Sequence, residues 1–496
     1  MKPDPRECAL YSAEQVRRID RAAIESLGID GYVLMQRAAA AAFACLRTHW
    51  PQARRVLLLV GHGNNGGDAL LLGVLALEAG LAVDALVLGG QGSGDAARAR
   101  ADFIAAGGVL QPAHAGLALP PADVVVDGLF GSGLSRAVDG VARELIAQLA
   151  EAAVGVLALD VPSGLDADRG VPRGIAVRAD VTLCMVAWKR GLFTAAAADH
   201  CGRRELALLD LPASLHAAFE PEAQLLDATL FARLPPRRAE SSKGSHGHVL
   251  VIGGDHGYGG AVQLAAGAAL RTGAGLVSVA TRAAQVGALN AALPEAMARG
   301  VETDAELDAL LARADVLALG PGLGTGEWSR HLLARSLASD MPQVVDADAL
   351  NLLAQAPRAL GAASVITPHP GEAARLLGCS VAQVQEDRYA AVRELARRHA
   401  CVAVLKGSGS LVAAPDGRVA VCPWGNPGLA SGGTGDVLTG VIAALLAQRM
   451  PAWDAACVGV AAHARAGDLA AREGMRGLIA RDLWPLLRRV LNGLER

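Results

Sequence analysis

The chain is short of aromatic residues, only 3% of its length, and it has almost no charge excess. Its 46 Lys and Arg stand against 49 Asp and Glu, a formal net charge of -3. So balanced a composition leaves no electrostatic footprint for nucleic acid or for an anionic membrane surface. Long apolar runs of membrane-spanning length are missing, and the N-terminal MKPDPRECAL has no secretory apolar core. The eight cysteines (Cys8, Cys45, Cys184, Cys201, Cys379, Cys401, Cys422 and Cys457) form no CxxC pair and no ligand-like spacing. That argues against a disulfide framework or a zinc site and for reduced thiols in a cytoplasm. No fixed-period repeat and no P-loop occur either.

Glycine is plentiful, 58 residues, and hydrophobic residues make up 52%, a composition of ordered α/β proteins. A length of 496 residues suggests two domains of about 200–250 residues each. Residues 12–49 read as helical: Ser12 and Gln15 suggest a capping box, and the alanines of 38–44 carry helix propensity. Exposed, Ala-rich helices of this kind point to a homo-oligomer. Short apolar runs then alternate with helical stretches: 56–60, a helix from about 68 to 80, then 83–88, 124–126 and 154–159. This is the pattern of a parallel sheet covered on both faces. The Pro-, Ser- and charge-rich ARLPPRRAESSKGSHG lacks periodicity, so 231–246 reads as a linker between domains 1–230 and 247–496. A second α/β series begins at HVLVIGGD, residues 248–255.

Functional groups in such sheets lie beyond the carboxyl ends of the strands. GHGNNGGDAL, residues 61–70, sits at one such end and contains Gly61-x-Gly63-x-x-Gly66. A dinucleotide fold also requires an acid at the end of the second strand. The nearby acid, Asp84, begins that strand instead, so hydride-transfer chemistry is not supported. Asn64, Asn65 and Asp68 read either as a turn and helix cap or as polar groups facing a ligand. VVVDGLFGSGLS (124–135) places Asp127 at a second strand end, and LALDVPSGLD (157–166) places Asp160 and Ser163 at a third. Each has a structural alternative: Asp127 pairing with backbone amides, Asp160 and Ser163 as turn formers.

In the second series, SGGTGDVLTG (431–440) combines a glycine-rich turn with an apolar helix. Backbone N–H groups and the helix N-terminus would converge on one anion, with Asp436 placed to accept a proton from an attacking hydroxyl. A plain Asp cap is the alternative. LKGSGSLV (405–412) offers Lys406 and a glycine-rich turn suited to nucleotide phosphates, or an ordinary hairpin. TPHPGEAARLLG (367–378) holds His369 between two prolines at the functional edge, and GPGLGTG (320–326) allows close backbone approach.

GHGNNGGDAL, VVVDGLFGSGL and LALDVPSGLDAD, in this order, resemble the YjeF-type N-terminal NAD(P)H-hydrate epimerase domain across residues 10–225. The departure is Ala69, where the family motif continues NNGGDG; alanine is harmless in a first helical turn. The resemblance implies a Rossmann-like three-layer sandwich that interconverts the C6 epimers of a hydrated nicotinamide ring. It implies a substrate lined by Asn64, Asn65, Gly66, Gly67 and Asp68, and by Gly131, Ser132, Gly133, Leu134, Ser135, Arg136 and Ala137. It further implies Asp160 as acid/base and Asn65, Asp127 and Ser163 around a potassium ion. A carboxyl group that gives and retakes one proton suffices for expelling and re-adding the C6 hydroxyl.

The second series resembles the ribokinase-like fold, and within it the ADP- or ATP-dependent NAD(P)H-hydrate dehydratases, through GGDHGYGGAVQLAAGAALRTGAGLVSVAT, PGLG, TPHPGE, KGSGSLV and NPGLASGGTGDVLTG. That resemblance implies that Ala261, Gly324, His369 and Asp436 touch the hydrated cofactor. Lys406, Gly407, Ser408, Gly409, Ser410 and Gly435 would touch the adenine nucleotide, with magnesium on its phosphates. The C6 hydroxyl would be phosphorylated with Asp436 as base, and phosphate, a far better leaving group than hydroxide, would depart.

The expectation is thus an α/β chain with an N-terminal Rossmann-like three-layer sandwich and a C-terminal ribokinase-like α/β sandwich. It would epimerise R and S NADHX and NADPHX, then dehydrate the S epimer with ADP or ATP. The alternative is a ribokinase-like small-molecule kinase with a non-catalytic N-terminal binding domain, since the GTGD loop is common to that superfamily. TPHPGE and the joint presence of Asn64, Asn65, Asp68, Asp127 and Asp160 weigh against it.

Overall fold

Ser12 and Gln15 do close a capping box, on the helix Ala13–Leu27, which stops at the left-handed Gly28. A second helix, Gly31–His49, starts from the Asp30 cap, so a glycine turn divides the stretch that reads as continuous helix. Ala38, Ala39 and Ala42 of this helix are buried in the core. Much of the alanine stripe is therefore used inside the unit rather than presented for self-association. The structure is a computed structural model describing residues 4–90 and 92–495, and it divides into two units, Met1–Gln224 and Leu225–Arg496.

The sheet of the first unit has seven parallel strands: β1 (Arg55–Val60), β2 (Ala82–Val87), β3 (Leu110–Pro112), β4 (Val124–Gly128), β5 (Gly155–Leu159), β6 (Val181–Met185) and β7 (Arg203–Ala207). Their order is β3-β2-β1-β4-β5-β6-β7. Val56, Leu58 and Val60 face one apolar core while Leu57 and Leu59 face another. This double burial is why the strands read as unbroken apolar runs. Strand order reverses between β1 and β4, and the loops beyond their carboxyl ends flank a crevice. Asp84 is an exposed residue near the start of β2, at the far end from that crevice.

The second unit has nine strands: β8 (His248–Ile252), β9 (Leu276–Thr281), β10 (Met297–Gly300), β11 (Val316–Leu319), β12 (Gln343–Val345), β13 (Val365–Ile366), β14 (Val402–Leu405), β15 (Leu411–Ala413) and β16 (Val419–Val421). They run in the order β10-β9-β8-β11-β12-β13-β14-β15-β16. The first seven are parallel, and β15 and β16 are antiparallel additions. The helix Thr434–Ala447 is buried almost all round. It packs so closely on the helix Gly259–Thr272 that a Cβ on Gly440 would stand 2.0 Å from the Ala265 carbonyl oxygen. Residues 231–246, expected as a linker, belong to this unit: Phe231 and Leu234 pack on its core, and Arg233 pairs with Asp454 at 2.5 Å.

All eight cysteines are free thiols. No helix among the described residues is long and apolar enough to cross a membrane.

Candidate active sites

The helix after β1 runs Asn64–Glu78, four residues earlier than the apolar pattern suggests, and its cap is Gly63, which offers no side-chain bond. Asn64, Asn65 and Asp68 are therefore inside the first turns and do not cap them. The glycines around them do separate jobs. A Cβ on Gly61 would lie 1.9 Å from the Leu129 carbonyl oxygen, and one on Gly66 would lie 2.1 Å from that of Gly61. At Gly63 nothing stands within 4 Å. The first lets the turn pack against the loop after β4, the second lets the helix start close on the turn itself, and the third leaves open space.

That space is a cavity of 550 Å³. Asn64, Asn65, Asp68, Asp160 and the loop residues Gly131, Ser132, Gly133, Leu134, Ser135 and Arg136 line it, opposite apolar Val16, Leu34 and Met35. Gly66 and Gly67 are buried in the helix, and they and Ala137 stand outside the lining. Gly131 ties the two loops together: its Cβ would sit 3.4 Å from Asn65 Cβ and 3.5 Å from Asp160 Oδ2.

Asp160 follows β5 in a left-handed conformation, φ 66°, sparsely populated except by Gly, Asn and Asp. Its Oδ2 accepts from the Ser132 amide at 3.3 Å, and its Oδ1 accepts from the buried Lys189 ammonium. Lys189 also donates to the Met185 carbonyl at 2.7 Å. Burial opposes the charge on Lys189, but Asp160, joined by Cys184 and Asp20, outweighs it and holds its pKa above the usual range. Asp20, on the first helix, titrates near 6 because it is desolvated, with Asp160 adding to the effect. Burial, then Asp160 and Asp20, push Asp68 well above the ordinary carboxyl range. Asp20 and Lys189 line the same cavity, yet neither lies in a motif that marks it in the sequence.

Behind this wall Asp127 and Ser163 are fully buried and doubly joined. Ser163 Oγ donates to Asp127 Oδ1 at 2.6 Å and its amide to Oδ2 at 2.7 Å. Desolvation raises Asp127 to about 6 against the lowering effect of these bonds. Asn65 Nδ2 donates to the Phe130 carbonyl at 3.1 Å, while its buried Oδ1 has no partner. The donors here are all oxygen and one is unsatisfied, which fits a hard cation.

In the second unit β14 and β15 form a hairpin whose loop carries Lys406, Gly407, Ser408, Gly409 and Ser410. The hairpin reading of this segment holds, and its loop carries Lys406 at the carboxyl end of β14. Gly407, at φ 131°, lies against the buried Arg388, whose guanidinium donates to the Leu405 and Lys406 carbonyls at 3.2 Å. Lys406 Nζ donates to Asp346 Oδ1 at 2.7 Å and stands 3.8 Å from Glu372 Oε2. Thr439 donates to the other Asp346 oxygen at 2.7 Å. Gly435 faces this pair: its Cβ would be 3.4 Å from Lys406 Nζ. Asp436, one residue on, is pushed up to about 7 by desolvation and by Asp346, against the pull of Lys406. Glu372 is also raised to about 7, chiefly by burial.

His369 caps the helix Pro370–Leu377, its Nδ1 accepting from the Gly371 amide at 2.9 Å; its ring is half exposed. The Gly324 amide donates to Asp348 at 2.8 Å. A Cβ on Gly322 would touch Ala261 Cβ at 3.1 Å, so the GPGLGTG turn and Ala261 meet. Asp346 and Asp348 were missed in the sequence, although Asp346 ends a strand as Asp127 and Asp160 do.

A family model described as NAD(P)H-hydrate dehydratase matches residues 249–489, and one described as YjeF-related protein N-terminus matches residues 31–191. The bifunctional NAD(P)H-hydrate repair enzyme Nnr of Coxiella burnetii is 46% identical over 487 residues, 97% of this chain and 99% of the relative. The chain belongs to the family of bifunctional NAD(P)H-hydrate repair enzymes. Its first unit carries the epimerase domain of that family and its second the dehydratase domain, which sets aside a kinase with a silent N-terminal domain. The Escherichia coli Nnr is 44% identical, spanning 97% of this chain and 94% of its own. Among solved structures, a ribokinase-like superfamily protein from Enterococcus faecalis matches 56% of this chain and 98% of its own, with 29% identity and a TM-score of 0.52.

Proposed function

We propose that the cavity of the first unit holds the hydrated nicotinamide ring with its C6 hydroxyl toward Asp160. The carboxyl group protonates the hydroxyl, water departs, and the ring is left as a conjugated iminium. Water returning to the opposite face gives its proton back to the same group, and the epimer is inverted. Asn64, Asp68 and the loop from Gly131 to Arg136 hold the rest of the molecule. The observation that supports this most is Asp160 itself, which lines the cavity at the end of β5 beside Asn64, Asn65 and Asp68 and faces the apolar Val16, Leu34 and Met35. Asn65, Asp127 and Ser163 would hold a potassium ion, supported by the orphan Asn65 oxygen; such an ion would supply a fixed positive charge to the site.

In the second unit the C6 hydroxyl of the S epimer gives its proton to Asp436 as its oxygen attacks the terminal phosphoryl group of ADP or ATP. The bond from phosphorus to the nucleotide breaks, then the C6–O bond breaks with loss of a proton from C5, leaving phosphate and dihydronicotinamide. Lys406, the glycines of its loop and the N-terminus of the helix Thr434–Ala447 cradle the phosphates. Ala261, Gly324 and His369 contact the ring side. Asp436 has no hydrogen-bond partner among the described residues and is free for this work. Magnesium carried on the phosphates supplies charge neutralisation there. We place the enzyme in the cytoplasm, a reading its eight free thiols support.

Mixed epimers of hydrated NADH, supplied with ADP or ATP, magnesium and potassium, should be consumed completely, with return of the dihydronicotinamide absorbance. Consumption of one epimer alone would remove the epimerase assignment. Loss of repair together with epimer exchange in Asp436→Ala would overturn the division of labour.

A further inference from the structure

Lys189 is 1% exposed, and it forms part of the lining of the epimerase cavity next to Asp160. A buried lysine is rare without partners, and this one uses all three of its protons: on Asp160 Oδ1, on the Met185 carbonyl, and on Cys184 Sγ at 3.6 Å. Its backbone is fixed as well. Trp188–Lys189 is a short strand paired in register with Leu10 and Tyr11, and a 3-10 turn, Arg190–Phe193, follows at once. The chain thus commits two strands to delivering one ammonium to one carboxylate oxygen, while the other Asp160 oxygen takes the Ser132 amide.

The groups electrostatically coupled to the pair are Asp20 from the first helix, Asp68 from the helix after β1, and the Cys184 thiol of β6. Arg17 and Arg136 line the same cavity. Three carboxyls therefore share one buried cation, and of the three only Asp160 is hydrogen-bonded to it.

We propose that Lys189 is the positioning residue of the epimerase: its ammonium fixes the Asp160 carboxyl toward the ring and compensates its charge each time the proton leaves. This rests on Asp160 being the proton carrier. Lys189 touches no substrate atom in this scheme. It makes Asp160 a sharper proton donor and keeps the developing iminium from being countered by a loose, alternately oriented carboxylate. Without it, Asp160 would stand desolvated near Asp20 and Asp68 with no compensating charge, a setting that disfavours the carboxylate form.

The test is the pH profile of epimer exchange in the full chain, for Lys189→Met and Lys189→Arg, with dehydration of pure S epimer confirming that the second unit is intact. Lys189→Met should slow exchange on the order of 100-fold and move the profile midpoint upward by about 1 to 3 pH units. Lys189→Arg should return the midpoint most of the way while recovering only part of the rate. A Lys189→Met enzyme that is slower but has an unmoved midpoint would reduce the residue to a structural role and overturn the proposal. Asp160→Asn separates the two readings: exchange that survives it removes Asp160 as proton carrier, whereas exchange abolished by it, with the Lys189→Met midpoint unmoved, sinks the positioning role alone.

Discussion

Lys406 Nζ stands 2.7 Å from Asp346 Oδ1, and the opposite oxygen of the same carboxylate takes the Thr439 hydroxyl at 2.7 Å. The pair therefore joins a hairpin loop, a strand end and the helix that bears Asp436. Replacing Lys406 by Met should cost about 3 kcal/mol or more, because it leaves a buried carboxylate without its cation. Thr439→Val should cost about 1–3 kcal/mol for the lost donor. Urea denaturation of both variants measures this, and a Lys406→Met protein as stable as the parent would show the pair to be dispensable for folding.

Asp436→Asn should lower the rate of dehydration by about 100-fold to 10,000-fold and leave epimer exchange untouched. Separate assays of the two steps on the same preparation decide it.

Dehydration should rise with pH and level off above about 7, since Asp436 titrates there and only its ionised form accepts a proton. Stability should move the other way. A carboxyl whose pKa is raised on folding stabilises the native state while the folded form keeps its proton. That contribution is complete below the ordinary carboxylate range and is lost as pH climbs to about 7. Denaturation midpoints across this range should fall less steeply in Asp436→Asn.

Ser163→Ala removes the hydroxyl that donates to Asp127 at 2.6 Å, so it should destabilise the first unit by about 1–3 kcal/mol. It should also weaken any stimulation of epimer exchange by potassium. A titration with potassium chloride, compared with the parent, checks the second point.

Gly61→Ala and Gly63→Ala should differ sharply, although both alter the same motif. The first puts a methyl 1.9 Å from the Leu129 oxygen and the second puts one into open space. Thermal unfolding should show a marked loss for Gly61→Ala and little change for Gly63→Ala.

Much of this was legible from residues 61–70 and 431–440 alone, because glycines at tight turns and polar residues at strand ends leave local signatures. Strand positions were likewise readable: double burial makes 56–60 of β1, 124–126 of β4 and 156–159 of β5 continuous apolar runs. Lys189 carried no such signature. Its partner lies 29 residues away in the chain, and WKRGL resembles any surface turn. Asp20 sits on an amphipathic helix where a charged residue normally faces water, and only the placement of that helix beside the cavity alters its environment. Asp346 is different, since the strand-end rule applied to Asp127 and Asp160 would have found it. The linker misled because Pro and Ser clusters mark irregular backbone, not absence of packing, and Phe231 and Leu234 anchor that segment.

The left-handed backbone at Asp160 has an evolutionary consequence. Most side chains lose roughly 1–2 kcal/mol in that conformation, and Asn, Asp and Gly are the main exceptions. Glutamate would supply the same functional group without the same tolerance, so the turn itself restricts which acid can occupy the position. Mutational drift at this codon is narrowed to substitutions that keep the loop but discard the chemistry, or that strain the loop as well. A relative of this chain that has lost epimerase activity through this residue should therefore tend to carry asparagine or glycine there.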